Sequence, residues 1–536
     1  MPVTPGRSDT STDSPIRPAV LLRLATAGGR SDRIRTALTS VSSALATVTL
    51  LAAATVAAIP DGDAAYRVEM IARGEQRAAV IAALLLVAVP ILVLAGQSIR
   101  FGSPARDRRF ALLRLVGATP GQAVQLAVCE TVLAALLGSV AGLASFLALR
   151  VVLGHPVSDG APALSADVAG AGLDLPAGAD LVLSTGVSGA GFALPTGVSG
   201  ADLALPTDVL PPVVVMILIL LFVPVSAAIV AAVLLRPVIM TPLGVVRRVR
   251  DRRPAGWPGL LIIGGVLAPV IVNPFGGWLL ENADEAEPSP GLAALTLAAV
   301  VLLATAGVLL GSGWIAYTCG ELLQRFGQRP GMLLAGRRLT ADPWSGSRLH
   351  AALFAALIVG AGASGVRSYV VAMQTAGDRM ADLSGRGPVP GGEYQLNPIT
   401  LVDLAVTAVI GLAAAGILVA LAEGITSRRR VYAAQVAAGV PRRVLSEAIA
   451  WQALAPAVPA VLISLTLGWS IVRSLGSTVT VGAVEEQGLR VTMPIAVPFA
   501  DLVMLGGGAV VALAAVAGMG ALLLRSNTDL EEIRVG

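Results

Sequence analysis

The sequence contains no lysine, so all 38 of its strongly basic residues are arginine. A phosphate-cradling loop of the G-x-x-x-x-G-K-[ST] type needs a lysine that reaches the β- and γ-phosphates, and no such loop exists here. Any ATP hydrolysis this chain draws on belongs to another polypeptide. Cysteine is almost as scarce: Cys129 and Cys319 fall in apolar stretches remote from each other, which leaves neither a disulfide framework nor a cysteine-rich zinc site. The two histidines, His155 in a predicted outer loop and His350 at the inner end of a predicted helix, cannot make a metal cluster or a serine–histidine pair. No catalytic, cofactor-binding or metal-ligating constellation emerges, so the expected role is not enzymatic. No nucleic-acid partner is expected either.

What the chain has in quantity is apolar surface. Of its 536 residues 55% are hydrophobic and only 13% charged, and the mean hydropathy is +0.79. That balance excludes a soluble domain of this size and describes a polytopic membrane protein. Crossing about 30 Å of hydrocarbon at about 1.5 Å per residue takes roughly 20 apolar residues. Ten stretches qualify, near 37–60, 78–98, 122–152, 209–235, 256–273, 291–317, 349–372, 400–424, 443–472 and 498–524. The fifth is the shortest and is broken by Gly264, Gly265 and Pro269.

Arginine placement orients them, because basic flanks are retained on the cytoplasmic side. With the N-terminus inside, the six cytoplasmic segments hold 29 of the 38 arginines. The 153–208 loop has no arginine but six Asp, and the 274–290 loop has four acids and no base. Both termini are therefore predicted to be cytoplasmic. The first 35 residues carry six Arg and no apolar segment with a cleavage site, and they read as a cytoplasmic leader. Usage heavy in Ala, Gly, Val and Arg fits a GC-rich genome and points to a bacterial plasma membrane.

Between the second and third spans lies a short basic hinge, Arg106-Asp-Arg-Arg-Phe-Ala-Leu-Leu-Arg-Leu-Val-Gly-Ala-Thr-Pro-Gly-Gln122. An altered copy, Arg428-Arg-Arg-Val-Tyr-Ala-Ala-Gln-Val-Ala-Ala-Gly-Val-Pro-Arg-Arg443, separates the eighth and ninth, with Gly117 and Gly439 in register 322 positions apart. The copying extends outward. Leu21-Leu-Arg-Leu-Ala25 precedes the first span as Leu333-Leu-Ala-Gly-Arg-Arg338 precedes the seventh, each reading as an amphipathic elbow on the inner leaflet. Leu234-Leu-Arg236 followed by Thr241-Pro-Leu243 parallels Leu523-Leu-Arg525 followed by Asp529-Leu530. Most of the length difference sits in eleven-residue units such as Thr185–Pro195 and Thr196–Pro206, echoed at Ala166–Pro176. Their Gly/Ala-rich composition reads as a mobile loop born of repeat slippage, with stacked strands or partner binding as the alternative.

These features resemble the FtsX-like, or MacB-type, permeases of ABC transporters. The resemblance rests on Arg109 to Thr119 with Gln122 and Glu130 beyond, on the Leu-Ala-Gly-Arg-Arg elbow, and on the Thr-Pro-Leu and Asp-Leu-Glu-Glu-Ile-Arg tails. It covers helices one to four and seven to ten, and its more specific copy is the first. The second copy departs in having Gln452 where Glu130 would align, and Val-Tyr-Ala-Ala-Gln where the first has Phe-Ala-Leu-Leu-Arg. The expected fold is all-α and integral to the membrane, with ten helices arranged as two pseudo-repeated four-helix units and a two-helix connector. The corresponding divisions are a leader and elbow at 1–36, a first unit at 37–253, a connector at 254–328, a second elbow at 329–348 and a second unit at 349–536.

The resemblance implies a permease subunit whose hinges dock on a separate cytoplasmic ABC ATPase, which binds the ATP. Its work would be export or extracytoplasmic mechanical work on peptides, antibiotics, lipids or lipoproteins. With only about 17 residues after the first helix, the outer part of such a machine is expected from a separate extracytoplasmic protein. The docking residues expected at the first hinge are Arg109, Phe110, Leu112, Leu113, Arg114, Val116 and Gly117. At the second they are Arg430, Gln435, Gly439, Pro441 and Arg442. Glu130, about eight residues into the third helix, is the candidate for an intramembrane role. It reads first as hydrated or paired with a hinge arginine, because a bare charge deep in lipid costs at least about 2.5 kcal/mol. The alternatives are an antibiotic-sensing permease that partners a histidine kinase, and a gradient-driven transporter, which would need polar clusters at midplane helix breaks.

Overall fold

The computed structural model describes residues 30–60, 74–99, 118–153, 209–239, 290–344, 350–383, 397–473, 476–482 and 490–526, with positions 71, 112, 115, 116, 206 and 260. In chain order the elements are α1 (Arg30–Ala57), α2 (Gly74–Ser98), α3 (Pro120–Leu153), α4 (Val213–Ile239), α5 (Pro290–Phe326), α6 (Pro330–Ala341), α7 (Ala351–Leu383), α8 (Asn397–Ser427), α9 (Arg429–Ala437), α10 (Arg442–Arg473), β1 (Thr478–Gly482), β2 (Arg490–Pro494) and α11 (Phe499–Ser526). Among the described residues nine helices are long and apolar enough to cross a membrane. The chain is a multi-pass membrane protein. The first elbow lies outside the described residues, as do the span expected at 256–273 apart from position 260 and the eleven-residue units apart from position 206.

Two groups of four helices share one packing order. In the first, α1 lies against α2, α3 and α4, and α3 lies against α4; in the second, α7 lies against α8, α10 and α11, and α10 lies against α11. Both are drawn tight at a crossing of small residues, the means by which helices associate where lipid offers no hydrophobic drive. In Gly138-Ser-Val-Ala-Gly142 of α3, a Cβ on Gly138 would collide with the Ser40 carbonyl of α1, and one on Gly142 would stand 2.5 Å from the Ala44 carbonyl. In the second group Gly468 of α10 sits in the same way against Ile358 and Ala361 of α7.

The groups meet through α2, which packs on α7 and α8. Ala46, Val87, Ile91 and Val223 form one core there with Ala356, Val359, Val406 and Val409. Helix α5 is no peripheral connector, since it packs on α2, α6, α7 and α10. Helix α7 is the most enclosed of the nine and α4 the least, so α4 presents Val214, Ile217, Leu218, Leu221 and Phe222 to the lipid.

Two features depart from the sequence reading. Helix α7 runs on to Leu383, past the expected end at 372, and its 33 residues reach about 50 Å, well beyond the hydrocarbon. The fold is also not purely helical, because β1 and β2 form an antiparallel hairpin with Thr480 opposite Thr492. Val479, Val481 and Ile495 of this segment pack on Tyr369 and Ala372 of α7 and on Trp469 of α10. The chain thus builds a small element of its own on the side away from the hinges.

Candidate functional site

The second hinge is a short helix with a well-made C-terminal end. At its close, Gly439 takes φ +89°, Gly439 N–H donates to the Val436 carbonyl at 2.9 Å, and Val440 N–H donates to the Gln435 carbonyl at 3.0 Å. This is a Schellman turn, which needs a residue without a Cβ penalty at the left-handed position, and glycine supplies it. The Pro441 carbonyl then accepts from Val444 N–H at 2.9 Å and α10 begins.

Helix α9 has two faces. Arg428, Val431, Ala434 and Ala438, at spacings of three and four, are exposed, whereas Tyr432 is 5% exposed. Tyr432 packs with Ile425, Leu445, Ile449 and Leu524, and Leu334 of α6 closes the cluster. Arg338 of α6 donates from Nη1 to the Tyr432 hydroxyl at 3.2 Å, and its guanidinium carbon stands 5.2 Å from the ring centroid. The outer face therefore offers small and apolar side chains beside arginine, the form of a helix that fills a groove with an acidic rim.

Of the residues expected at this hinge, Gly439 and Pro441 are exposed, Gln435 and Arg442 are half-buried, and the Arg430 side chain lies outside the described residues. Gln435 Oε1 is buried and accepts no hydrogen bond among the described residues.

At the first hinge Arg109, Phe110, Leu113, Arg114 and Gly117 lie outside the described residues. Leu112, Leu115 and Val116 are 63%, 84% and 88% exposed, so three apolar side chains stand bare. The exit from this hinge is made differently. Thr119 N–H donates to Gln122 Oε1 at 3.0 Å, and Gln122 N–H donates to Thr119 Oγ1 at 3.3 Å. This reciprocal capping box starts α3 at Pro120, a residue suited to the first helical position.

Glu130 accepts a hydrogen bond from Arg35 Nη2 at 2.8 Å, with both side chains 6% exposed. Among the described residues its partner is Arg35, the arginine that leads into α1. The pair links α1 to α3, the two helices that also meet at the small-residue crossing. Breaking such a pair strands a buried charge, so Glu130 has a structural use in joining these two helices.

The elbow α6 is similarly built in. Gly336 and Gly320 approach so closely that a Cβ on Gly336 would stand 2.8 Å from the Gly320 carbonyl oxygen. Gln324 of α5 donates to Thr340 Oγ1 at 2.9 Å, Gly331 packs on Glu447 of α10, and Arg329 lies 3.7 Å from Glu447. The sequence reading put this helix on the leaflet surface, and its Ala335 and Leu339 are in fact buried against Ala316, Leu323 and Ala448.

Residues 404–529, which comprise nearly all of α8, then α9, α10, the hairpin and α11, match the family model described as FtsX-like permease C-terminal. This stretch is an FtsX-like permease C-terminal domain. The match falls on the second hinge and its helices, the copy with the more altered hinge motif. The matched range takes in three membrane helices and does not include Val116-Gly-Ala-Thr119. No curated protein and no solved structure matches this chain.

Sequence reasoning missed three long-range polar pairs. Arg338 and Tyr432 lie 94 positions apart and Arg35 and Glu130 95 apart, separations at which no helical periodicity signals contact. The third, Arg367 with Asp403, joins α7 to α8 toward the hairpin side. Tyr432 carried one signal, since it is among the residues that set the second hinge apart from the first.

Proposed function

We propose that this permease is the membrane subunit of an ABC-type complex, in which a separate cytoplasmic ATPase docks on α9 and on the first hinge. The observation that carries the reading is α9 itself. It is a helix closed by a Schellman turn and packed along its inner face at Tyr432, yet it exposes Val431, Ala434 and Ala438 beside Arg428. A lipid-facing helix needs no such fixing, and a solvated loop has no reason to expose an apolar ridge.

The two groups with the same packing order then act as pseudo-repeats, and each hinge receives one ATPase. ATP binds and reacts in the partner, and this chain passes the resulting displacement along α8 and α10. The hairpin and the projecting end of α7 are where that motion emerges, which suits export or mechanical work on peptide, antibiotic, lipid or lipoprotein substrates at the outer surface. Arginine placement supports a cytoplasmic position for the hinges and both termini, and the composition supports a bacterial plasma membrane. Contacts with a sensor kinase or with a larger outer protein would be made from these same two sides.

The test is co-purification of the tagged full-length chain with ATPases encoded nearby. Val431→Asp is expected to insert normally and to lose the ATPase. Retention of the ATPase at wild-type level by Val431→Asp would sink the docking assignment.

A further inference from the structure

We infer that Arg338 and Tyr432 form a joint that ties the second hinge sideways, through the elbow α6, to α5 and so to the first group of helices. The inference rests on the docking role proposed for α9 and adds a route by which its motion travels.

A hinge helix moved by a partner would ordinarily pull only on its chain neighbours, here α8 and α10. Helix α9 is also attached beyond them, to α11 at Leu524 and, through hydrogen-bonding and ring contacts, to α6 at Arg338. Arg338 both donates to the Tyr432 hydroxyl and stacks its guanidinium on the ring, and a planar, permanently charged group is suited to do both. Tyr432 is one turn from the exposed ridge of α9, so displacement of that ridge moves the phenol directly. Arg338 in turn belongs to a helix with no independent freedom. On one side α6 is pressed against α5 at Gly336 and Gly320 and bonded to it through Gln324 and Thr340; on the other it is packed against α10 at Glu447 and Ala448. Helix α5 reaches α2, where Leu94 shares a core with Val308, Ile315 and Phe354. A rigid chain of contacts therefore runs from α9 through α6 and α5 to α2, the helix that enters the first hinge.

With Gly117 and Gly439 in register, Tyr432 stands opposite Phe110. Phenylalanine keeps the ring but has no hydroxyl to accept a hydrogen bond. The hydrogen-bonded joint is thus a property of the second hinge, and Arg338 and Tyr432 are positioning residues: they act through α9 and do not themselves need to meet the partner.

The experiment uses the full-length chain in nanodiscs, with Tyr432→Phe, Arg338→Leu, Arg338→Lys and the Tyr432→Phe/Arg338→Leu double variant. Amide exchange is followed in α9, α6 and α5, and ATP turnover is followed with the co-purified ATPase present. Tyr432→Phe is expected to speed exchange in α9 by about five-fold, the factor that one hydrogen bond's net contribution represents. The double variant should add little to Arg338→Leu, and Arg338→Lys should recover only part of the loss. ATPase affinity should hold within about two-fold while maximal turnover falls, since the ridge is intact but its motion is poorly relayed. Unchanged α9 exchange in Tyr432→Phe and Arg338→Leu, or effects of the two that simply multiply, overturns the joint. Exchange reports on the joint with or without an ATPase, whereas failure of wild type to bind any ATPase overturns the docking role alone.

Discussion

The two helix groups pack in the same order but are fastened by different polar groups. On the hinge side, the first group relies on the buried Arg35–Glu130 pair and on the Thr119–Gln122 capping box. The second relies on a Schellman turn at Gly439 and on Arg338 against Tyr432. On the far side, the first group turns arginines onto backbone carbonyls: Arg77 donates to Ile71 at 2.8 Å and to Pro60 at 2.6 Å, and Arg150 donates to Val209 at 2.5 Å. The second pairs Arg367 with Asp403, with Asp501 near enough to act on that carboxyl. Apolar packing tolerates exchange of side chains of similar size, so a common packing order survives sequence change. Polar contacts need particular partners, so each group has its own.

Removing one side of a fastening should cost most where both sides are buried. Glu130→Leu strands the buried Arg35 and is expected to destabilise by about 3–5 kcal/mol, read as a lowered thermal midpoint in detergent. Adding Arg35→Leu should restore most of it. If Glu130→Leu alone is neutral, the pair is not what holds these helices.

A smaller effect is expected from closing the space at a helix crossing. Gly138→Leu must push α3 away from Ser40 and should cost about 1–3 kcal/mol or more, whereas Gly508→Ala, with nothing within 4 Å of its Cβ position, should lie within about 0.5 kcal/mol. Equal effects from the two would contradict the crossing geometry. Thr119→Ala removes one half of the capping box and should cost about 1 kcal/mol, read from the same thermal midpoint; an unchanged midpoint would leave α3 without need of its cap.

Least is expected at Asp403. Its pair with Arg367 has side chains 34% and 32% exposed, respectively, and a pair so open to solvent contributes on the order of 1 kcal/mol or less. Asp403→Asn should therefore shift the midpoint far less than Glu130→Leu does. A comparable loss would show that the far side of the second group is held as tightly as the hinge side of the first.

The spans were legible because hydropathy over roughly 20 residues is a strong signal, and the described helices agree with the expected spans apart from the longer α7 and α5. Helix α7 continues past the expected end at 372 through Asp378 and Arg379, which lower the hydropathy there. Yet Ala372, Ala376 and Met380 continue a buried face at spacings of four and carry the helix onward. The hairpin also had a signal, the alternation in Thr478-Val-Thr-Val481, too brief to stand out beside the long apolar runs. The glycine that ends the second hinge was legible, since a Gly before a Pro marks a helix end. The partners of Glu130 and Tyr432 were not, because they are fixed by the tertiary crossing of helices far apart in sequence.

The central claim is that two hinges of one chain each receive an ATPase. The most direct measurement is the mass of the purified complex, for the wild type and for Leu115→Asp, Val431→Asp and the double variant. The account predicts two ATPases per chain in the wild type, fewer in either single variant and none in the double. One ATPase per chain in the wild type, or full occupancy in the double variant, would contradict it.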